Sequence, residues 1–256
     1  MMSSSVAPSF LQGYWQDTFN LKQHLQDFLN LDLETIEKEL ELGQQSLKEI
    51  GHRDFDWEKA SEFYRDRVGE AYLFDLGAWH MSNQDYIGGT LILISDMASG
   101  RVLDFGGGIG THAIAAALCP QVEQVVYCDI NPINLNFVKS RAAKLGLNDK
   151  ISCCLEVSPT EVFDTVICLD AMEHLPNPSQ QLLNFHKMLT LSGKIILNWY
   201  FFKGFNQEFP FHLENEEEVN TFFYQLQSNF MEVFHPHLIT ARCYRKLTPC
   251  LEGMGG

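Results

Sequence analysis

Residues 102–110 read VLDFGGGIG: an apolar run ends in the carboxylate Asp104 and the aromatic Phe105, then breaks into glycines. Residues 111–118 that follow are compatible with a helix. A strand passing to a helix through such a turn has the shape of a nucleoside-cofactor loop. Without Cβ atoms, Gly106, Gly107, Gly108 and Gly110 let the backbone turn sharply at the strand's carboxyl end and bring N–H groups close to a ligand. Unrelated nucleotide binders share this kind of turn, so spacing has to separate them. A dinucleotide fingerprint, Gly-x-Gly-x-x-Gly/Ala counted from Gly106 and Gly108, puts its third small residue at Thr111. That branched side chain obstructs close packing of helix on strand.

Residues 122–135, VEQVVYCDINPINL, form a second apolar run ending at Asp129, a carboxylate able to accept hydrogen bonds from both hydroxyls of a ribose. A ligand-free tight turn accounts for the glycines alone and a helix N-cap accounts for Asp129 alone. Their joint occurrence favours a cofactor.

With FDTVICLDAMEHL at 163–175 and MLTLSGKIIL at 188–197, these segments resemble the class I S-adenosylmethionine-dependent methyltransferases, over roughly residues 100–200. The resemblance implies a fold, a cofactor and an activity. The fold is α/β: a seven-stranded, mostly parallel Rossmann-like sheet with helices on both faces. The cofactor is S-adenosylmethionine, with residues 104–110 at its methionine end, Asp129 at the ribose and Ile130 beside the adenine. Leu169 and Asp170, at the fourth strand's carboxyl end, are expected beside the sulfonium. The stretch before Phe163 is short and lacks the family's Gly-Asp pair, which leaves Leu155, Glu156 and Val157 as the nearest adenine candidates.

The grammar of the rest fits this order. Short apolar runs near 101–105, 122–128, 151–154, 164–169 and 193–199 alternate with helical stretches near 111–118, 132–145 and 178–190. Such alternation predicts a parallel sheet. A helix near 214–226 and strand-like runs at 231–234 and 239–246 follow, and the resemblance makes these the last two strands. We expect a serine-rich mobile leader over 1–12, a helical lid over 13–99, the methyltransferase core over 100–248 and a flexible tail over 249–256. Within the lid, apolar residues at helical spacing predict a helix near 32–50 stopping at Gly51, a second amphipathic segment over 56–76 and a third over 82–99 capped by Ser82 and Asp85.

The 256 residues, 45% of them hydrophobic, suffice for one substantial core. A formal charge of −15 argues against binding phosphate backbones as the main task. Neither nucleic acid nor membrane is an expected partner. The seven cysteines lack Cys-x-x-Cys pairs or a disulfide framework, and no signal peptide or membrane-length run occurs. A soluble, cytoplasmic protein is the expectation.

Residues 62–86, EFYRDRVGEAYLFDLGAWHMSNQDY, are rich in ligand-binding types. Tyr64, Arg65, Trp79 and His80 are candidates for acceptor binding, with an arginine able to clamp a carboxylate through paired N–H donors. Core packing and pairing with Glu62, Asp66 and Glu70 compete with that reading. Trp199, Tyr200 and Phe202, after the fifth strand, are candidates for an apolar acceptor pocket. His174 and His80 are the candidate bases, since an imidazole titrates near neutrality. The Glu173–His174 pair recurs in this family without a catalytic duty, which favours an orienting or capping role. His212, His235 and His237 show no ligand spacing, and no metal site is expected.

The leading expectation is an enzyme moving a methyl group to an oxygen or nitrogen of a small molecule or short peptide. An ionised carboxylate is an attractive acceptor because it needs no base. A non-catalytic binding module of the same fold and, less favoured, a nicotinamide-dependent oxidoreductase are the alternatives.

Overall fold

Apolar periodicity changes at Gly100, and the architecture changes with it. The computed structural model describes residues 8–54, 59–207, 209, 211–235 and 241–248, without side chains at 44–54. From Gly100 onward runs a seven-stranded sheet: β1 (Gly100–Phe105), β2 (Val122–Cys128), β3 (Ile151–Cys154), β4 (Phe163–Cys168), β5 (Leu189–Leu197), β6 (Phe230–Val233) and β7 (Arg242–Lys246). Their spatial order is β3-β2-β1-β4-β5-β7-β6. Strands β1 to β5 pair in parallel, and β7 is antiparallel to both its neighbours.

Successive side chains of a strand point to opposite faces, and here each face has its own core. Val102, Val125, Ile167 and Ile196 join Ile114 of α7 (Thr111–Leu118) in one. Leu103, Val126, Val166 and Ile195 join Leu182 and Phe185 of α9 (Pro178–Met188) and Phe222 of α10 (Glu216–Asn229) in the other. Burial on both faces is why these strands read as continuous apolar runs. Strand order reverses between β1 and β4. Open α/β sheets bind ligands beside such a point, beyond the strands' carboxyl ends.

The N-terminal part is helical: α1 (Phe10–Asp17), α2 (Leu21–Leu29), α3 (Leu33–Asp54), α4 (Ala60–Glu62), α5 (Ala71–Ser82) and α6 (Gln84–Met97). After α4 the chain widens into a π-helical turn, Phe63–Arg67. Helix α3 packs along α5, α1 on α6, and α2 on α8 (Pro132–Lys144). None of the described helices is long and apolar enough to cross a membrane.

Arg141 of α8 fastens this helical part to the glycine loop. Fully buried, it donates Nη1–H to Ile109 O at 2.7 Å and Nη2–H to Thr18 O at 2.8 Å and Phe19 O at 3.2 Å. Thr18, Phe19 and Asn20 all have left-handed backbone, with φ of 55°, 58° and 59°. That conformation is costly for non-glycine residues, and it turns two carbonyls toward one guanidinium.

Three expectations are corrected within the helical part. The leader ends earlier than residue 12, because α1 begins at Phe10 and buries Leu11 completely. Gly51 does not stop its helix, which continues to Asp54. Ser82 caps nothing: its hydroxyl donates back to Ala78 O at 2.7 Å, and Asn83 occupies the N-cap of α6 without a capping bond. The expected tail, 249–256, lies outside the described residues.

Candidate cofactor and acceptor site

The glycine loop joins β1 to α7 with three left-handed residues, Gly106, Gly108 and Gly110, at φ of 70°, 53° and 78°. Its surroundings leave little room for a Cβ. One on Gly108 would lie 2.9 Å from Leu76 of α5, and one on Gly107 would lie 2.6 Å from both Asp104 Oδ2 and the Tyr127 ring. The loop is braced from β2 and its carboxyl end. Tyr127 donates its hydroxyl to Gly108 O at 2.6 Å, and Gly108 N–H donates to Asp129 Oδ2 at 2.8 Å. Asp129 Oδ1 accepts from Asn131 N–H at 2.8 Å, so both oxygens of the expected ribose ligand are engaged with backbone.

Thr111 is fully buried as the first residue of α7, with its hydroxyl unpartnered. Asp104 Oδ2 is another buried oxygen without a hydrogen-bond partner. Burial, reinforced by Asp129, pushes the Asp104 carboxyl up to about 7. Burial also raises Asp129 and Asp170, and together with Asp170 it pushes Glu173 up to about 8. No lysine or arginine figures among the charges acting on these four carboxyls. Buried Asp104 and Asp129 at the glycine turn, with half-buried Asp170 and buried Glu173 past the end of β4, suit a ligand that brings positive charge, and S-adenosylmethionine brings an ammonium and a sulfonium.

The helical part closes over this region. Tyr86 of α6 donates its hydroxyl to Asp170 Oδ1 at 2.7 Å, and Asn198 Nδ2 donates to the same oxygen at 2.7 Å. Asp170 itself has φ of 51°, held by its N–H donating to Asn198 Oδ1 at 2.7 Å. Strained backbone of this kind gathers at functional sites. From the π-helical turn, Tyr64 accepts at its carbonyl from Asn131 Nδ2 at 3.0 Å and places its hydroxyl 2.9 Å from His174 Nδ1. Tyr72 lies against Tyr64, in the field of Asp129, Asp75, Glu173 and Asp170. Ile130, like Tyr72, packs against the cluster of Phe63, Tyr64, Val68 and Phe211.

Beyond β4 a single turn of 3₁₀ helix, Met172–His174, presents Glu173 and His174. The chain segment after β5 returns here, with Leu213 N–H donating to Glu173 O at 2.7 Å. That return brings His212 to His174, with ring centroids 4.8 Å apart, and Tyr200 to His212 at 5.5 Å. Phe202 touches this group through its carbonyl, 3.2 Å from His212 Nδ1. His212 had no spacing to announce it. Only the path of the loop after β5 makes it a neighbour of the Glu-His pair.

Other candidates stand elsewhere. His80 is buried beside His112, ring centroids 5.7 Å apart, and burial holds its imidazole well below its usual range. This is the interior between α5 and α7. Arg65 is exposed, and Glu156 and Leu155 are exposed past the end of β3. Trp199 packs on Phe222 and Phe223 of α10 as part of the second core. Trp79 packs on Tyr86. Leu169 is buried at the end of β4, next to Asp170.

The sheet order and the glycine turn define a Rossmann-like, class I methyltransferase architecture. Residues 103–195 match the family model of a methyltransferase domain. Over that stretch, which runs from β1 into β5 and takes in the glycine loop, the chain is similar to methyltransferase domains. A ubiquinone biosynthesis O-methyltransferase of Rickettsia conorii is 30% identical over 106 residues, which is 41% of this chain and 36% of that relative. The match thus spans only about a third of the curated relative's length. Among solved structures, a putative O-methyltransferase from Nostoc punctiforme superimposes with a TM-score of 0.56 at 14% identity, over 80% of this chain and 72% of that one. The N-methyltransferase NodS from Bradyrhizobium japonicum, in complex with S-adenosyl-L-homocysteine, gives a TM-score of 0.50 at 17% identity, over 80% and 98%. Both likenesses are of fold.

Proposed function

We propose that this chain transfers the methyl group of S-adenosylmethionine to an oxygen or nitrogen of a small molecule or short peptide. The observation that carries the reading is the buried, unpartnered Asp104 Oδ2 beneath the glycine loop, with Asp129 closing the loop's other side. The cofactor supplies a methyl already activated by the positive sulfur. The loop residues from Asp104 to Gly110 hold its methionine end, with Asp104 facing the ammonium. Asp129, whose oxygens accept from Gly108 N–H and Asn131 N–H, would hold the ribose hydroxyls. Ile130 flanks the adenine, and Leu169 and Asp170 stand beside the sulfonium.

The protein's part in the chemistry is alignment and exclusion of water. Holding two reactants in line lowers a barrier by about 7–11 kcal/mol in favourable cases. Tyr64, Tyr72 and Tyr86, from the helical part, cover the cradle, while Tyr200 and His174 border the side from which an acceptor enters. Neutral His174, held well below its ordinary pKa by burial and His212, is an acceptor of hydrogen bonds and not a cation. The relatives named above act, by their names, on oxygen or nitrogen. The test is incubation with methyl-labelled cofactor and a broad set of metabolites and peptides, followed by mass analysis. A labelled product supports the reading, whereas cofactor binding without any labelled acceptor favours a binding module.

A further inference from the structure

Glu173, His174 and His212 each offer a ligand atom, and these atoms lie within 4.8 Å of one another. Three features distinguish the group from an incidental cluster. Glu173 is 2% exposed, and its Oε2 is buried without a hydrogen-bond partner. His174 Nδ1 lies 3.2 Å from Phe211 O, and His212 Nδ1 lies 3.2 Å from Phe202 O. A carbonyl oxygen only accepts, so the tautomer that satisfies Phe211 O and Phe202 O carries its hydrogen on Nδ1 and leaves the Nε2 lone pair for a ligand, with the Tyr64 hydroxyl oxygen, 2.9 Å from His174 Nδ1, as a second acceptor there. Histidines that bind metals are oriented in this way, with the second ring nitrogen donating to a carbonyl or carboxylate.

We propose that Glu173, His174 and His212 bind a divalent transition-metal cation beside the end of β4, leaving open coordination positions for an oxygen of the acceptor. Two imidazoles and one carboxylate suit borderline cations such as zinc, cobalt or iron(II) better than magnesium or calcium, which favour all-oxygen shells. Three protein ligands are the number found in catalytic sites, where the remaining positions take water or substrate. A metal at this place selects acceptors with a hydroxyl or adjacent oxygens. In that respect the proposal rests on the methyltransferase reading and narrows it.

The experiment is a cobalt(II) titration of the full chain after removal of metals with a chelator, followed by visible absorption and by calorimetry. A single equivalent with ligand-field bands is expected. His212→Ala and Glu173→Gln should each weaken cobalt binding by at least about tenfold. His186→Ala, altered at a histidine that bonds Leu247 O, should leave it unchanged. A melting curve for each variant separates a lost ligand from a lost fold, and His212→Gln is the milder replacement if alanine does not fold. Absence of the bands, or cobalt binding that survives both ligand substitutions in folded protein, overturns the proposal. S-adenosylhomocysteine is titrated in parallel. Its binding without cobalt binding refutes the metal site alone, and cobalt binding without it refutes the methyltransferase reading and keeps the metal site.

Discussion

Tyr86 and Asp170 come from opposite ends of the architecture, yet the tyrosine hydroxyl donates to the carboxylate Oδ1 over 2.7 Å. One residue sits in the helical N-terminal part, and the other follows β4 at the edge of the cradle. Since Asn198 Nδ2 also donates to Asp170 Oδ1 and lies 2.5 Å from the Tyr86 hydroxyl, the three form a small closed network. The cover and the sheet are thereby locked together where the sulfonium is expected.

Replacing Tyr86 with phenylalanine removes one donor from the half-buried Asp170 carboxylate while preserving the ring that packs on Trp79. Hydrogen bonds to charged groups contribute about 1.5–3 kcal/mol. The expected outcome is a loss toward the lower part of that range, because Asn198 remains, together with weaker retention of S-adenosylhomocysteine. Chemical denaturation and calorimetry measure the two.

Arg141 makes a sharper stability prediction. Its guanidinium satisfies carbonyls of Ile109, Thr18 and Phe19, and Arg141→Met leaves them buried without donors. A loss of about 3 kcal/mol or more is expected on the scale of broken buried charge interactions. Arg141→Lys should recover little, since one ammonium cannot reproduce the guanidinium fork. Urea unfolding of the three proteins provides the comparison.

At Gly108 two penalties coincide. Alanine there must adopt φ of 53° and place its Cβ 2.9 Å from Leu76 Cδ1. The left-handed backbone alone costs roughly 1–2 kcal/mol. Gly108→Ala is therefore expected to weaken cofactor binding and lower the melting temperature. Adding Leu76→Ala relieves the contact but not the backbone strain, so the double variant should regain only part of the loss.

Asp104 gives the fold a pH dependence of stated sign. Its carboxyl is raised from 3.8 to about 7 in the native state, chiefly by burial and then by Asp129. In the unfolded chain the proton leaves at the lower value, so between these limits the native state binds more protons. Stability is fully present below 3.8 and is lost as pH rises through about 7. The slope from this one group is about 1.4 kcal/mol per pH unit. Asp104→Asn should flatten that part of the profile in melts across this window; an unchanged slope would assign the effect elsewhere.

The sheet was largely legible in the sequence because its strands are buried on both faces. Continuous apolar runs marked β2 and β3 at their observed limits, 122–128 and 151–154. Strand β5 begins earlier than expected, at Leu189 and not near residue 193, because Thr190, Ser192 and Gly193 interrupt the apolar pattern and Leu191 between them is exposed. The glycine loop was legible from composition alone, since only glycine meets its positive φ values and close neighbours. The helical part was harder. Helix α3 runs past Gly51 to Asp54, and within the amphipathic segment expected over 56–76, whose residues 56–58 lie outside those described, a π-helical turn interrupts the helix at Phe63–Arg67. The acceptor side was least legible. Trp199 reads like a pocket residue until α10 folds over it, while His212 reads like a stray histidine until the chain returns to Glu173.

The central claim is that Asp104, Asp129 and the glycine loop between β1 and α7 hold S-adenosylmethionine. Isothermal titration with S-adenosylhomocysteine tests it most directly, using the unaltered chain, Asp129→Ala and Asp129→Asn. The prediction is saturable binding by the unaltered chain and at least about tenfold weaker binding by Asp129→Ala, corresponding to hydrogen bonds to a carboxylate. Asn, which keeps one acceptor for Gly108 N–H, should fall between them. No binding of S-adenosylhomocysteine by the folded chain, with saturable binding of a nicotinamide dinucleotide in its place, would contradict the account.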